Sequence, residues 1–335
     1  MVRTGVEAPV RFMHRFGQRK PQGKKERGNM ITSVTNQKVK RIVQLNKKAG
    51  ERKKEGVFVV EGVKMFLEAP ETMLEEVYVS EGFGEEFCTE AVENPEPGFK
   101  KTEGETEEIR VILADKLKRC GYETVSGEVF AKMSDTQSPQ GILCVVRQPA
   151  YTLEEMMENG SEPLFLVLEN LQDPGNLGTV MRTGEGAGVS GILMSRDTVD
   201  LYNPKTVRAT MGSIYRVPFL YAEDIRAVVR QLKEMGVGIY AAHLKGETCY
   251  DECDYRAPAA FLIGNEGNGL TEETAGLADT YIRIPMGGRL ESLNAAVASA
   301  LLLYAAEGQR RRGGRQFSNG SGRNNGVWSG TGNVK

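Results

Sequence analysis

From residue 36 onward the chain carries two hydrophobic periods, one helical and one strand-like. In Asn36–Leu45, Val39, Ile42, Val43 and Leu45 fall at helical spacing, with Lys38, Lys40 and Arg41 on other faces. Gly56–Glu61 reads as a short strand, Val63–Ala69 as a helix and Val77–Ser80 as a second strand. Helical pattern returns at Ile109–Cys120, and Gly141–Val146 is an unbroken apolar run of the kind a fully covered strand shows. These elements predict a small α/β domain at 31–148. The next stretch, 149–163, reads as a polar linker with one short helical piece.

Beyond the linker the alternation is regular. Strands are predicted at 164–168, 190–194, 217–220, 237–242, 260–263 and 281–284. Helices are predicted at 176–188, 204–211, 224–235, 271–277 and 292–306. Such βα alternation implies a mostly parallel sheet covered by helices, a second and larger α/β domain at 164–308.

Composition refines this picture in three ways. At 335 residues and 40% hydrophobic the chain suits two domains plus tails. It holds no apolar run near the ~20 residues that span a bilayer, so no membrane partner is expected. Five scattered cysteines (Cys88, Cys120, Cys144, Cys249, Cys253) make no disulfide framework and suit a reducing cytoplasm. The net charge of −2 hides a strong asymmetry. Residues 11–54 are crowded with Lys and Arg, 81–108 form an acidic insertion, and the stretch after Gly308 holds Arg310, Arg311, Arg312, Arg315 and Arg323 without an acid. Residues 1–30 and 309–335 are expected to be disordered basic tails. Such tails can neutralise the phosphates of a polyanion or simply stay solvated, and composition leaves both open.

Three segments carry candidate chemistry. In Leu168–Thr183 a strand ends at Glu169, a Pro-Gly turn follows, and Asn176 is placed to cap a helix that carries Arg182. Ala260–Leu270 is a buried strand running into a loop with Gly264, Gly267 and Gly269, which would fix Glu266 at a cleft; Thr271 would cap the next helix. In Ile282–Val297 a strand enters Pro285, a Gly-Gly loop follows, and a helix begins near Ser292, itself a good N-cap. Gly184-Glu-Gly-Ala-Gly188 mimics a dinucleotide fingerprint but falls at the end of a helix, where close packing and a C-cap explain it better. Cys249 and Cys253 lie four apart with only His243 near them, so no metal is expected.

In this order and spacing the segments resemble the three motifs of the SpoU/TrmH family of RNA 2′-O-ribose methyltransferases, in the SPOUT superfamily, over nearly all of 164–306. The N-terminal region looks like the L30e-like RNA-binding domain of that family, through Lys38-Val-Lys40, Phe58-Val-Val-Glu-Gly62 and Ser138-Pro-Gln-Gly141. The resemblance implies a C-terminal α/β-knot, a deep trefoil knot, with S-adenosyl-L-methionine held mainly by main-chain atoms. Gly264, Ile284 and Leu293 would contact it, with Leu244, Gly267 and Met286 in the same loops. Arg182 would act at the target ribose, oriented with it by Glu266, Ser292 and Asn294. A guanidinium stays protonated, so Arg182 is expected to position and stabilise rather than abstract a proton. Asn176, Lys38, Lys40, Arg41 and Arg52 are the expected RNA contacts. A homodimer is implied, and the substrate is rRNA in preference to tRNA. The chain departs from the family pattern at Ala295-Ala296, where a Val-Ser pair is usual. A non-catalytic knotted RNA-binding protein, which would bind RNA but not the methyl donor, is the alternative reading; base methylation by a related knotted enzyme is disfavoured by the Asn-Leu-Gly…Arg segment.

Overall fold

The computed structural model describes residues 30–83, 105–158, 160 and 162–313. The expected basic tails thus lie largely, and the acidic insertion mostly, outside the described residues. Two compact units emerge.

The smaller unit contains the described residues up to Gln148 together with Tyr202–Tyr215. Its helices are α1 (Gln37–Lys47), α2 (Ala49–Glu55), α3 (Val63–Glu68), α4 (Glu105–Cys120) and α5 (Gly127–Met133). Its strands are β1 (Val57–Glu61), β2 (Leu74–Ser80), β3 (Glu123–Val125) and β4 (Ile142–Arg147), in the order β1-β4-β2-β3. Asn36 caps α1 by accepting from Lys38 N at 2.9 Å, and the apolar stripe Val39, Ile42 and Leu45 is buried as its spacing requires. The pattern had not marked α2, β3 and α5.

β1 is buried at Val57, Phe58, Val59 and Val60 alike, so both of its faces need cover. Val57 and Val59 join the core with Ile42, Leu45, Phe130 and Val145. Phe58 meets the rings of Tyr202 and Tyr215 at 4.8 and 6.4 Å, and Tyr215 Oη donates to Met65 O at 3.2 Å. A piece of sequence expected inside the 164–308 domain, with helix α8 (Pro204–Thr210) in it, therefore packs on the smaller sheet.

The larger unit contains 149–201 and 216–313. Its strands are β5 (Leu164–Leu168), β6 (Gly191–Ser195), β7 (Phe219–Ala222), β8 (Gly238–Ala242), β9 (Thr248–Cys249), β10 (Ala259–Ile263) and β11 (Thr280–Arg283). They form one sheet ordered β7-β6-β5-β10-β8-β11-β9, every neighbouring pair parallel. β5, β6 and β10 are buried at every position, the burial that an all-parallel, helix-covered sheet demands. The helices are α6 (Leu153–Met157), α7 (Pro174–Ala187), α9 (Ile225–Glu234), α10 (Glu272–Ala275) and α11 (Ala295–Arg312). α11 lies against α7.

The helix expected to stop at 306 runs on to Arg312, and the reason is Arg310. Its buried guanidinium donates to the carbonyls of Tyr255, Glu162 and Ala257 at 2.8, 2.7 and 2.7 Å. Arg310 is a bolt between chain segments and not part of a tail. Of the described residues, no helix is long and apolar enough to cross a membrane.

Candidate active site

β5 and β10 are neighbours whose chains diverge after their carboxyl ends, the place where open α/β sheets bind ligands. Two carboxylates tie the loops there together. Glu169, buried at the end of β5, accepts from Thr271 N at 2.8 Å, Thr271 Oγ1 at 2.9 Å and Thr274 Oγ1 at 2.5 Å. This fixes the loop after β10 to the loop after β5. Sequence reasoning passed Glu169 over; an acid ending a wholly apolar strand was the available signal. Glu266 makes the second tie, accepting from Gln172 N and Asp173 N at 3.1 Å each and from Asn176 Nδ2 at 3.0 Å. Partial burial works against its charge, but hydrogen bonds from Asn176 and from main-chain N–H groups of Gln172, Glu266 and Asp173 outweigh this and hold the carboxyl below its usual range.

Asn176 was expected to cap α7 and to contact RNA. The cap is Asp173 instead, whose Oδ1 accepts from Asn176 N at 2.7 Å, with Pro174 opening the helix as its fixed φ allows. Asn176 is thereby placed inside the first turn. Its Nδ2 goes to Glu266 and its Oδ1 accepts from Asn294 Nδ2 at 2.9 Å, so both ends of the amide are engaged within the protein. Asn294, not Ser292, caps α11: its Oδ1 accepts from Ala296 N at 2.9 Å and Val297 N at 3.3 Å. Ser292 stands exposed three residues before the helix begins at Ala295. Ala295 and Ala296 are buried in the first turn, where a serine hydroxyl would need its own partner.

A continuous chain of hydrogen bonds, Glu266–Asn176–Asn294, therefore joins all three segments. Arg182 is not in it. It lies exposed on α7, with no hydrogen bond or ion pair to any described residue. Glu266, expected to orient Arg182, braces the helix that carries it.

The three-glycine loop is a closed turn, with Asn265 N to Gly269 O at 3.0 Å and Gly269 N to Asn265 O at 2.9 Å. A Cβ on Gly264 would lie 2.0 Å from Gly269 C, and Gly269 has φ +68°, so both positions demand glycine. Gly267 is not crowded in this way, its nearest neighbour being Asn265 Oδ1 at 3.4 Å.

Ile284, Met286 and Leu293 line one open cleft of about 480 Å³ with Tyr250, Asp251, Gly287, Gly288 and Leu301. That volume lies in the range, roughly 300–1,000 Å³, that small-molecule sites occupy. Gly264, Gly267 and Leu244 do not line it; Leu244 is 72% exposed. Apart from Asp251 and the Tyr250 hydroxyl, the wall is apolar side chain and open glycine backbone, which suits a ligand with a flat ring and a polar tail.

Gly184–Gly188 proves to be the helix end: Gly188 is the left-handed C-cap of α7, and Gly184 packs on Val189 and Ile192. In the smaller unit the expected RNA contacts differ in kind. Lys40 is exposed, Lys38 pairs with Glu123, and Arg41 pairs with Glu55 at 2.6 Å and Glu76 at 3.1 Å. Arg52 cannot serve as expected. It is buried, its Nη1 donating to Leu45 O at 2.5 Å and Asn46 O at 3.1 Å, because the end of α1 leaves carbonyls that need donors. Among the described residues no three His, Cys, Asp or Glu side chains cluster as a metal site would require.

Comparison with known proteins decides the family. The chain is 31% identical over 278 residues to the 23S rRNA (guanosine(2553)-2′-O)-methyltransferase RlmP of Bacillus subtilis, covering 83% of this chain and 99% of that one. It is 32% identical over 285 residues to an uncharacterized tRNA/rRNA methyltransferase of Synechocystis, covering 84% and 94%. The profile of the SpoU rRNA Methylase family matches residues 163–304. The chain belongs to the SpoU rRNA methylase family. The SpoU match spans both carboxylate ties and the Asn176–Asn294 bond, and stops short of Arg310. Ahead of it, residues 36–144 match an MRM3-like substrate binding domain. The fold agrees: an AdoMet-bound rRNA methyltransferase from Sinorhizobium meliloti has a TM-score of 0.68 and 29% identity, over 85% of this SpoU protein and 98% of that chain.

Proposed function

We propose that this SpoU protein transfers a methyl group from S-adenosyl-L-methionine to the ribose 2′-oxygen of a nucleotide in structured RNA, ribosomal RNA in preference to transfer RNA. The observation that carries the reading is the Glu266–Asn176–Asn294 chain, which braces the helix bearing an exposed Arg182 that is bonded to none of the described residues. Structural braces are common, but a brace built from three loops at strand carboxyl ends, beside an apolar cleft, is what a transfer site needs.

The methyl donor, when bound, supplies a methyl group already activated for attack. The protein's own task is to place the hydroxyl and ease its loss of a proton. Arg182 provides a permanent positive charge for the oxygen as its proton passes to water or to a phosphate of the RNA. Glu266 and Asn294 keep α7 and α11 in register so that this charge stays where it is needed, and Ser292 lies free for a ribose or phosphate oxygen. Ile284, Met286 and Leu293 would hold the donor, with Gly264 and Gly269 shaping the adjoining loop and Leu244 at its rim. In the smaller unit, an L30e-like RNA-binding domain in this reading, Lys38, Lys40 and Arg41 would meet phosphates.

The C-terminal region closes as a trefoil knot in this proposal. Support comes from the sheet order β5-β10-β8-β11: the chain leaves β11 beyond β8, yet Asn294 returns to Asn176 on α7. A homodimer would cover the exposed Val297 and Tyr304 of α11, 49% and 51% accessible. A cytoplasmic site of action fits the free thiols Cys120, Cys144, Cys249 and Cys253.

The test is transfer of labelled methyl to ribosomal RNA from a strain lacking the gene, followed by mapping of 2′-O-methyl sites. Transfer to one nucleotide, slowed about 100-fold or more in Arg182→Ala, is expected. Binding of RNA without affinity for the methyl donor would overturn the reading.

A further inference from the structure

The cleft beside Ile284 and Leu293 carries one feature that its cofactor reading leaves unused, a carboxylate at its rim. Among the described residues lining it, Asp251 bears the only charge; the rest are apolar, glycine or Tyr250. Asp251 is exposed and forms no ion pair with a described residue. Its neighbour is the Cys249 thiol, whose proton is held more tightly by a hydrogen bond to Asp251. A thiol is a weak donor, so the negative charge is left uncompensated.

The carboxylate is also held in place. Tyr250 N donates to Arg283 O at 3.0 Å, and Tyr255 Oη donates to Tyr250 O at 2.6 Å. The turn is closed by Glu252 N to Cys249 O at 3.1 Å and by Cys249 N to Glu252 Oε2 at 3.2 Å. Asp251 stands at the tip of this fixed turn, facing a wall of Ile284, Leu293 and Leu301.

We infer that Asp251 is the specificity residue that pairs with the α-ammonium group at the amino-acid end of the methyl donor. The inference rests on the methyl-donor reading above. An apolar wall takes the flat adenine ring, and the exposed rim is left for the most polar end of the ligand. A fixed, unpaired carboxylate there favours a cation, and needs little reorganisation to bind it.

Calorimetry on the full chain separates the contributions. The ligands are S-adenosylmethionine, S-adenosylhomocysteine and 5′-methylthioadenosine; the first two carry the ammonium and the third has only the adenosine half. Asp251→Asn should weaken the first two about ten-fold, as loss of a partly exposed charge-assisted hydrogen bond does, and leave 5′-methylthioadenosine unchanged. Asp251→Glu should recover part of the loss. Equal weakening of all three ligands would mean that Asp251 only shapes the turn, and unchanged S-adenosylmethionine affinity would mean that it does nothing; either overturns the inference. A wild-type chain that binds none of the three overturns the methyl-donor reading, and this assignment with it.

Discussion

Asn294 Nδ2 donates to Asn176 Oδ1 at 2.9 Å, while the other end of the same Asn294 amide caps α11. One side chain thus starts a helix and ties it to the brace that Glu266 begins. The two roles are separable. Asn294→Asp keeps the capping acceptor and loses the donor; Asn294→Ala loses both. Loss of the cap alone costs about 1 kcal/mol. We expect Asn294→Asp to melt within a few degrees of wild type yet to transfer methyl groups about 100-fold more slowly, since small misplacements of reacting groups carry such penalties. Equal rates for the two asparagine-free variants and wild type would show that the bond is ornamental.

Arg182 makes the opposite case. It is exposed and bonded to no described residue, so its removal should leave stability unchanged, within about 0.5 kcal/mol. Activity should nonetheless fall by about 100-fold or more in Arg182→Ala, the loss expected when a charge that stabilises a developing anion is removed. Arg182→Lys keeps the charge without the planar fork and should recover only part. Single-turnover assays at saturating RNA, beside thermal melts, check both halves of the prediction.

Glu266 links the brace to pH. Its carboxyl lies below the ordinary value of 4.5 in the folded chain because Asn176 and the loop N–H groups favour the anion over the burial that opposes it. A depressed carboxyl contributes stability that is complete above its unfolded value and disappears as pH falls through the folded one. Wild type should therefore exceed Glu266→Gln in melting temperature by a constant margin from about pH 6 upward. The margin should shrink as the pH drops below the usual carboxylate range. A gap that widened in acid would reverse the sign and contradict the assignment.

How much of this was legible beforehand depended on the range of the interaction concerned. Local periodicity placed every strand of the larger sheet except two-residue β9, because most of these runs are predominantly apolar and bounded by turn residues. Thr271 as the cap of α10 and Gly188 as the end of α7 followed from side-chain chemistry within one helical turn. What a single sequence could not reveal was which of several good caps the fold selects. Asp173 and Asn176 are both competent, as are Ser292 and Asn294, and the selection turns on bonds that span 90 and 118 residues. Arg52 and Arg310 were misplaced for the same reason. A basic stretch reads as surface until carbonyls at a helix end, or from two distant stretches of chain, turn out to need its donors. Tyr202–Tyr215 belongs with the smaller sheet because Phe58 needs cover, a requirement set about 140 residues earlier in the chain.

The glycine loop permits a steric test. A Cβ at Gly264 would meet Gly269 C at 2.0 Å and Leu270 N at 2.1 Å, both main-chain atoms that cannot step aside. Gly264→Ala should open the Asn265–Gly269 turn and abolish methyl-donor binding. Gly267→Ala, with only a side-chain oxygen at 3.4 Å, should bind within a few-fold of wild type. Calorimetric titration of the two variants gives the comparison, and equal binding by both would remove the loop from the cofactor site.

Arg310 sets the last expectation. Its guanidinium feeds the carbonyls of Tyr255, Glu162, Pro163 and Ala257, which come from two separate stretches of chain. Methionine at this position would preserve the bulk of the stem and strand those acceptors in a buried site. Each acceptor left unmet costs about 1–3 kcal/mol, offset where water enters, so Arg310→Met should destabilise this unit by on the order of 3 kcal/mol. Lysine, a single ammonium with no fork, cannot reach acceptors on both stretches at once and should not restore the loss. Arg311→Met, on the exposed side of the same turn and paired among the described residues with Glu307 alone, should change stability by no more than about 0.5 kcal/mol. Chemical denaturation of the three variants would distinguish a bolt from a surface cation: comparable midpoints for the Arg310 and Arg311 substitutions would refute the role given to Arg310.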